Sequence, residues 1–384
     1  MRRLVHSGQA GTGPSAARSR SGSHDRGTQQ PRWSQGAAAG RPLPLDVAAE
    51  SLRRAQARAF ARRLPVGGVA IDLDGTAARF SGDLGPAVVA IGSAAPRLGR
   101  LRPVVRCVAG SPAALPLAPQ SAAGAWADSG LIGLDGDHVP LVLGEVHRVL
   151  RVGAPVDLRL PAPSGDVAGA ARPGSDHRAA GTSRTAGPDL LALLLAGAGF
   201  ELVAGQPVRD GWRVRAERLD TVADIVAPGL RLLVVGLNPS TAAAAAGIAF
   251  SRPGDRFWSS AVAAGVVCRP LDPRHALESH GVGMTDIVKR STVGASELTP
   301  AEYRQGMRRV ESLVGWCQPR LVCFVGLSGW RAAVDREAKP GLQVHRLAGR
   351  PCYIMPSTSG ANAQAHADHL ADHLRTAADL ADRS

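Results

Sequence analysis

The sequence LLVVGLNPSTAAAAAGIAFSRPGDRFW, at residues 232–258, decides the fold of the second half of this chain. Leu232–Val235 is a short apolar run that stops at Gly236, which predicts a buried strand. A polar loop that contains Asn238 follows, and the alanine run after it predicts a helix. Ligands of parallel α/β sheets bind beyond the carboxyl ends of the strands. We therefore expect Asn238 at a binding crevice, and the alternative is that it only caps the helix.

Five motifs follow one another from about residue 230 to the C-terminus. They are GLNPS (236–240), SRPGDRFW (251–258), GVGMTDIVKRSTVGASEL (281–298), QPRLVCFVG (318–326) and MPSTSGANA (355–363). In order and spacing this region resembles the mismatch-specific uracil/thymine-DNA glycosylases, a branch of the uracil-DNA glycosylase superfamily. The resemblance implies a monofunctional DNA repair glycosylase, which flips uracil out of mismatched duplex DNA and hydrolyses its N-glycosidic bond to leave an abasic site. Thymine and ethenocytosine are further candidate bases.

The resemblance also implies roles for individual residues. The catalytic residue is Asn238, which positions the attacking water and contacts the base. The remaining residues of the base pocket are Gly236, Leu237, Pro239, Ser240, Phe250, Thr285 and Asp286. The DNA-binding residues are Ser357, Thr358, Ser359, Gly360, Ala361 and Asn362. Because an amide cannot abstract a proton, we expect a slow enzyme that depends on the quality of the leaving group.

Four of these positions have open alternatives. Phe250 is expected to stack on the flipped base, although a role in the core fits its sequence position equally. Thr285 and Asp286 are expected to shape the pocket or to cap a turn. Ala361 stands where the family inserts a larger side chain into the DNA, so Asn362 and Met355 are further candidates for that insertion.

Predicted helices and strands alternate along residues 46–220, and this pattern is typical of a doubly wound parallel sheet. A helix is expected from Asp46 to about Arg63, and strand-like runs lie at residues 68–73, 87–91, 104–108 and 156–160. The segments IDLDGTAARFSGDLG (71–85) and VVAIGSAAP (88–96) resemble the cofactor loop and second strand of class I S-adenosylmethionine-dependent methyltransferases. The predicted fold class is α/β, with two doubly wound three-layer α/β/α domains. The first is a methyltransferase-like Rossmann fold, and the second is uracil-DNA glycosylase-like.

The cofactor loop departs from the methyltransferase pattern. Asp74, Thr76 and Ala78 replace glycines that would let the backbone close on the cofactor, and only Gly75 remains. A carboxylate that would bind the ribose is also missing after the second strand. We therefore expect a degenerate S-adenosylmethionine site whose remaining candidates are Asp72, Asp74 and Gly75. The glycosylase reaction itself requires no cofactor.

Composition changes along the chain predict the domain boundaries. Residues 1–45 are rich in Arg, Gly and Ser and are expected to be disordered. Residues 161–188 form a predicted flexible insertion within the first domain. A junction at residues 221–230 leads to the glycosylase-like domain at residues 231–384.

The net charge of +13 favours a polyanionic partner but does not name one. The resemblance implies that the partner is double-stranded DNA with G·U or G·T mismatches. The five cysteines form no CxxC pair, which predicts a reducing cytoplasmic setting and excludes the iron–sulfur branches of the superfamily. No apolar run approaches the length of a membrane span. His366, His369 and His373 share one face of a predicted helix but lack a partner ligand, so no metal centre is predicted. We expect a monomer.

The sequence leaves two alternatives to a glycosylase. The chain could be an S-adenosylmethionine-dependent methyltransferase that uses the glycosylase-like domain to find DNA. It could also be a non-catalytic DNA-binding protein, if Ser240 and Ala361 disable base flipping. Asn238 of the glycosylase motif is intact, whereas the methyltransferase loop has lost most of its glycines. This contrast favours the glycosylase.

Overall fold

The computed structural model describes residues 32–33, 45–73, 88–92, 106–128, 131, 136–161, 188–360, 362 and 366–384. Residues 32–384 belong to one compact unit, which contains two β-sheets. Most of the predicted tail and most of the predicted insertion lie outside the described residues. The same is true of Asp74, Gly75 and Ala361.

The first sheet has eight strands in the order β1-β7-β8-β6-β5-β2-β3-β4. All neighbouring strands are parallel except β8, which is antiparallel to both β6 and β7. The strands are β1 (Arg32–Trp33), β2 (Ala70–Asp72), β3 (Val88–Gly92), β4 (Arg106–Ala109), β5 (Gly124–Ala127), β6 (Pro155–Leu160), β7 (Phe200–Val208) and β8 (Gly211–Arg218). The strand-like runs of the sequence therefore correspond to β2, β3, β4 and β6.

Three described helices accompany this sheet, namely α1 (Leu45–Ala61), α2 (Val139–Val149) and α3 (Pro188–Gly197). The predicted helix at 46–63 is confirmed as α1. Helix α2 has a proline in its first turn, where the missing N–H costs no hydrogen bond. Its buried face includes Val142, Leu143 and Val146, which recur at helical spacing and pack on the core.

The second sheet has five strands in the order β10-β9-β11-β13-β12. The first four are parallel, and β12 is an antiparallel edge strand. The strands are β9 (Leu232–Gly236), β10 (Val282–Asp286), β11 (Leu321–Val325), β12 (Gly341–Leu347) and β13 (Arg350–Met355). Every residue of β9, β10 and β11 is buried, as expected for parallel strands covered on both faces. The predicted central strand is thus confirmed, and so is the fold class of two α/β domains.

Six helices surround the second sheet, and no helix in the described part of the chain could span a membrane. They are α4 (Thr241–Ala246), α5 (Phe257–Ala263), α6 (Pro273–His280), α7 (Pro300–Cys317), α8 (Ser328–Ala333) and α9 (Ala367–Asp382). Helix α9 packs on α5 and on strands β11 and β13, whereas α8 packs on α7. Helix α7 begins with a reciprocal cap, in which Thr299 Oγ1 accepts from the Glu302 N–H and Glu302 accepts from the Thr299 N–H.

The two sheets share one continuous hydrophobic core. Helix α3 of the first sheet packs against α7 of the second, and Leu195 and Val310 are buried in the same cluster. Val226 and Leu230 of the predicted junction are buried there as well. The junction has no helix or strand of its own, but it is a packed segment because its apolar side chains fill the space between the two sheets.

Candidate active site

A cavity of about 690 Å³ lies at the carboxyl ends of β9, β10, β11 and β13. Each of these four parallel strands contributes its end or the loop that follows it. Its walls include Leu237, Asn238, Pro239, Ser240, Phe250, Arg252, Asp255, Asp286, Thr292, Val293, Ser357, Thr358, Ser359 and Asn362. The loop after β9 therefore lies at the crevice that its sequence predicts.

The Asn238 amide is fixed by three acceptors. Its Nδ2 donates to Thr292 Oγ1 at 2.8 Å, to the Arg290 carbonyl at 3.0 Å and to the Pro239 carbonyl at 3.1 Å. Carbonyl oxygens can only accept, so the nitrogen of the amide must face them. The amide oxygen, Oδ1, has no donor among the described residues and can accept a hydrogen bond from a water or from a base. Ser240 Oγ caps α4 at the Ala243 N–H, so Asn238 is not the cap.

Asp286 is a buried carboxyl group in the same cavity. It lies opposite Gly236 in the register of β9 and β10, and a Cβ on Gly236 would collide with Asp286 Oδ1. Burial raises the pKa of Asp286 to about 6, against the opposing charge of Lys289 and with a further rise from Asp224. A carboxyl group that titrates near neutral pH can take up or release a proton during a reaction.

Thr285 lies behind the cavity rather than in its wall. Its hydroxyl donates to Asp224 Oδ1 at 2.7 Å, and the same carboxylate accepts from Lys289 Nζ at 2.8 Å and Arg309 Nη1 at 2.7 Å. Burial opposes the ionisation of Asp224, but Arg309 and Lys289 outweigh it and hold the pKa of that carboxyl below its usual value. Arg309 Nη2 also donates to the Asp286 carbonyl at 2.6 Å. We call these four side chains (Thr285, Asp224, Lys289 and Arg309) the Asp224 cluster.

Phe250 both packs on the core and lines the cavity, so its two predicted locations are found together. Its ring stacks on buried Phe257, with centroids 4.2 Å apart and planes at 25°. Its φ of 56° lies in the left-handed region, which costs a bulky residue roughly 1–3 kcal/mol. The surrounding packing holds this conformation, and an aromatic ring in the cavity wall offers a stacking surface for a planar base.

Arg256 holds the loop at residues 357–362, which carries the predicted DNA-binding residues. Its Nη2 donates to the Ser359 carbonyl at 3.1 Å and to the Asn362 carbonyl at 2.7 Å. Asn362 Nδ2 donates to the Ser357 carbonyl at 2.9 Å, so its amide closes the loop on itself. The predicted insertion role of Asn362 therefore competes with a structural one.

Thr358 differs from the exposed phosphate contact that its sequence predicts. It is only 1% exposed, and its hydroxyl is hydrogen-bonded to Asp255. Burial raises the pKa of Asp255, against the bond from the Phe257 N–H and the bond from Thr358. Gly360 lies close to the Gly254 carbonyl, which would be 3.0 Å from an added Cβ. Ser357 and Ser359 remain partly exposed beside the cavity.

The cavity wall also includes residues that were not singled out as site residues from the sequence, among them Arg252, Asp255, Thr292 and Val293. All four lie within the two quoted motifs SRPGDRFW and GVGMTDIVKRSTVGASEL, so their position in these motifs could have indicated them. Arg252 is exposed, and no ion pair is found for it among the described residues. Val293 is an apolar side chain that is 71% exposed beside the cavity.

In the described part of the corresponding edge of the first sheet, the carboxylates at the ends of β2 and β5 are buried. Asp72 at the end of β2 is fully buried. Asp128 after β5 is also buried and is paired with Arg213 and Arg53, each at 3.3 Å. The described part of this edge therefore does not fit the cofactor, and its remaining candidates Asp74 and Gly75 lie outside the described residues.

The three C-terminal histidines lie along α9 without forming a ligand set in the described part of the chain. His373 Nδ1 is 2.6 Å from the Tyr353 hydroxyl. His369 packs edge-on against the His373 ring, and His366 is exposed before the helix. Their contacts are those of a helix surface.

The fold and the cavity together define the class of this protein: an α/β protein with a binding crevice at the carboxyl ends of its second parallel sheet. Residues 223–381 match the family model described as the uracil DNA glycosylase superfamily. This region, which contains the whole cavity, is therefore similar to the uracil DNA glycosylase superfamily.

Solved structures similar to the chain include three methyltransferases. The 1,6-didemethyltoxoflavin-N1-methyltransferase of Burkholderia thailandensis is 20% identical over 48% of this chain and 94% of its own, with a TM-score of 0.31. A methyltransferase of Thermotoga maritima is 15% identical over 44% of this chain and 91% of its own, with a TM-score of 0.31. One of Mesorhizobium loti is 18% identical over 42% of this chain and 96% of its own, also with a TM-score of 0.31.

Proposed function

We propose that this protein is a DNA N-glycosylase that removes uracil from mismatched duplex DNA and leaves an abasic site. The observation that carries the proposal is the Asn238 amide, held with its oxygen unengaged in a cavity that also contains Phe250, within a region similar to the uracil DNA glycosylase superfamily. Extrusion of a nucleotide costs a few kcal/mol and is least costly at a mispair. That difference favours G·U and G·T over A·U.

The cavity supplies a group for each part of the hydrolysis. The flipped base stacks on Phe250, and its bond to the sugar breaks with the electron pair leaving on the base. Asn238 Oδ1 accepts a hydrogen bond from the water that attacks the sugar carbon. Asp286 takes the proton of that water, which the amide cannot do. The raised pKa of Asp286 brings this proton transfer close to neutral pH.

Two exposed side chains beside the cavity support binding to a duplex. Arg252 carries a positive charge that can neutralise a phosphate and release its counterion. Val293 is exposed and apolar, and such side chains can wedge between base steps. In this proposal Val293 contributes the wedge that the methyl group of Ala361 is too small to supply alone.

The experiment that tests the proposal is single-turnover excision from end-labelled duplexes. The duplexes carry G·U, A·U, G·T or ethenocytosine opposite G, and the wild type is compared with Asn238→Ala. We expect excision from G·U that falls at least about 10²-fold in the variant, because the fixed amide no longer orients the water or the base. Gln343→Ala is the matched control, since it removes an amide from β12, away from the cavity wall.

Each outcome of this experiment separates the candidate functions. Excision that is unchanged in Asn238→Ala would remove that residue from the mechanism. An absence of excision by the wild type, with duplex binding retained, would favour the non-catalytic DNA-binding protein. A methyltransferase is the weakest alternative, since Asp72 and Asp128 are buried where the cofactor would need accessible carboxylates.

A further inference from the structure

A second group of reactive side chains lies on the surface of the glycosylase domain, on the loop after α5 and on α6. It consists of Cys268, His275 and His280, whose donor atoms all lie within 4.8 Å of one another. The Cys268 sulfur is 3.0 Å from His275 Nε2 and 3.2 Å from His280 Nε2. None of the three lines the cavity that contains Asn238.

We propose that Cys268, His275 and His280 bind a divalent metal ion of the zinc class. A thiolate and two imidazoles are the donors that zinc prefers, and three protein ligands leave a fourth position for a water. With Zn–S of about 2.3 Å and Zn–N of about 2.0–2.1 Å, a tetrahedral ion holds sulfur and nitrogen about 3.5 Å apart. The separations in this structure are a few tenths of an ångström shorter, so small side-chain rotations are enough to admit the ion.

The surroundings of the two histidines orient them for this role. Asp272 caps α6 and accepts from the His275 N–H at 2.9 Å, which fixes His275 in the first turn of the helix. His275 Nδ1 is 3.1 Å from Ser279 Oγ, so Nε2 is the nitrogen that faces the sulfur. A metal-binding histidine usually has such a hydrogen bond on its other nitrogen.

His280, at the other end of α6, also has a ring nitrogen whose lone pair faces Cys268. Its Nε2 is 3.3 Å from the Cys268 N–H, which can only donate, so this nitrogen carries a lone pair. That is the form of imidazole that binds a metal. The bond from the Cys268 N–H is long and would be exchanged for the bond to the ion.

The loop between the ligands is strained, which is consistent with a need for an additional constraint. Leu271 has a φ of 57° and is half exposed, so the left-handed conformation is not explained by packing of its side chain. An ion bound by Cys268 and by both ends of α6 would hold this loop in place. The spacing C-x6-H-x4-H includes no CxxC pair, so it does not resemble the common zinc motifs.

The test uses the full-length protein, purified with a phosphine reductant, freed of metal and titrated with Co²⁺. We expect one equivalent to bind tetrahedrally, with intense visible d–d bands and a thiolate-to-cobalt charge-transfer band. Zn²⁺ should remove both sets of bands. Cys268→Ser should abolish the charge-transfer band, and His275→Gln or His280→Gln should weaken Co²⁺ binding by at least about tenfold.

Several controls make the result specific. His345→Gln removes an exposed histidine on β12 and should leave the titration unchanged. Cys317, Cys323 and Cys352 are buried with their pKa values raised by burial to about 12, so they do not supply a thiolate. Zn²⁺ should also raise the melting temperature of the wild type but not that of Cys268→Ser.

Three results would overturn the proposal: no charge-transfer band in the wild type, a band that persists in Cys268→Ser, or cobalt bands that Zn²⁺ does not displace. In those cases the three side chains form a hydrogen-bonded cluster and no zinc site. The variants lie on an exposed loop and helix, and their circular dichroism spectra should match that of the wild type. These readouts do not depend on whether the protein excises uracil.

Discussion

Burial of the Asp286 side chain has opposite effects on stability and on reactivity. The raised pKa, about 6 instead of 3.8, means that the folded protein binds this proton more tightly than the unfolded chain does. The free energy of unfolding therefore decreases as the pH rises from about 4 to about 6. The same shift keeps the group ready to exchange a proton near neutral pH. The protein thus tolerates a destabilising carboxylate in the cavity proposed for catalysis.

Asp286→Asn keeps the shape of the side chain but removes its charge. We expect a free energy of unfolding at neutral pH that is higher by up to about 3 kcal/mol, and a loss of the pH dependence between about 4 and 6. Single-turnover excision should fall by about 10² to 10⁴, because the proton acceptor is gone. Chemical denaturation and excision, each measured across this pH range, check the two effects.

Asp255→Asn is the matched control for this prediction, because Asp255 is a second, half-buried carboxyl group of the cavity that is already hydrogen-bonded. Wild-type excision should rise as the pH passes through about 6, and Asp255→Asn should keep that rise. A rise that persists in Asp286→Asn would identify another group as the base.

For single residues, the sequence predicts where a side chain lies in the fold better than it predicts which residues it forms hydrogen bonds with. The polar loop after an apolar strand was enough to locate Asn238 at the crevice. The opposite directions of Thr285 and Asp286 follow from the pleat of a strand, in which neighbouring side chains alternate. Their partners could not be predicted, because Asp224 and Thr292 lie more than 50 residues away along the chain from Thr285 and Asn238 respectively.

Among the elements, the loop at residues 357–362 depends on a side chain from another element. Arg256, just before α5, donates to two carbonyls of this loop, and its own N–H donates to the Thr358 carbonyl. A hydrogen bond from a charged group contributes about 1.5–3 kcal/mol. The guanidinium of Arg256 therefore largely fixes the conformation of the loop that would face the DNA.

Arg256→Ala should loosen this loop without unfolding the domain. We expect faster amide hydrogen exchange at residues 357–362, weaker binding to a G·U duplex and a melting temperature that changes little. Arg304→Ala removes an exposed arginine of α7 and serves as the control for the loss of one positive charge. Equal losses of duplex affinity in the two variants would mean that Arg256 acts only through its charge.

The sequence predicts elements well where an apolar run ends at a glycine. Leu232–Val235 lies in β9, and the alanine run forms α4. Gly247, with a φ of 68°, is the C-cap of this helix. The conformation of the DNA-facing loop could not be predicted. It depends on Arg256, about 100 residues earlier in the chain, and not on the local sequence MPSTSGANA.

For the whole molecule, the Asp224 cluster joins the two sheets at the point where their cores meet. The Asp224 N–H donates to the Gly197 carbonyl at the end of α3, while the carboxylate binds Lys289 and Arg309 of the second domain. Asp224 is only 3% exposed. Removing one partner of a buried ion pair leaves an uncompensated buried charge, which lowers the free energy of unfolding by about 3–5 kcal/mol.

Asp224→Ala should lower the free energy of unfolding by about 3–5 kcal/mol, because Lys289 and Arg309 lose their counter-ion. Asp382→Ala is the matched control. Its ion pair with Arg231 is half exposed, and such pairs contribute about 0–1 kcal/mol. Chemical denaturation of both variants checks the difference. A similar small loss in the two would show that water reaches the Asp224 cluster.

The sequence predicts two α/β domains correctly but not how they are joined. Residues 221–230 were expected as a junction because Pro228 and Gly229 interrupt the pattern. Val226 and Leu230 of this junction are buried in a core that both sheets share. Such a core depends on contacts between α3 and α7, which are far apart in the chain and have no spacing that a pattern could reveal.

The shared core has a consequence for the synthesis of the chain. Leu195 of α3 leaves the ribosome about 115 residues before Val310 of α7, which belongs to the same buried cluster. At about 5–20 residues per second, this apolar surface stays uncovered for roughly ten seconds on every nascent chain. The part of the core that α3 and α7 share is therefore completed only after most of the second domain has been translated.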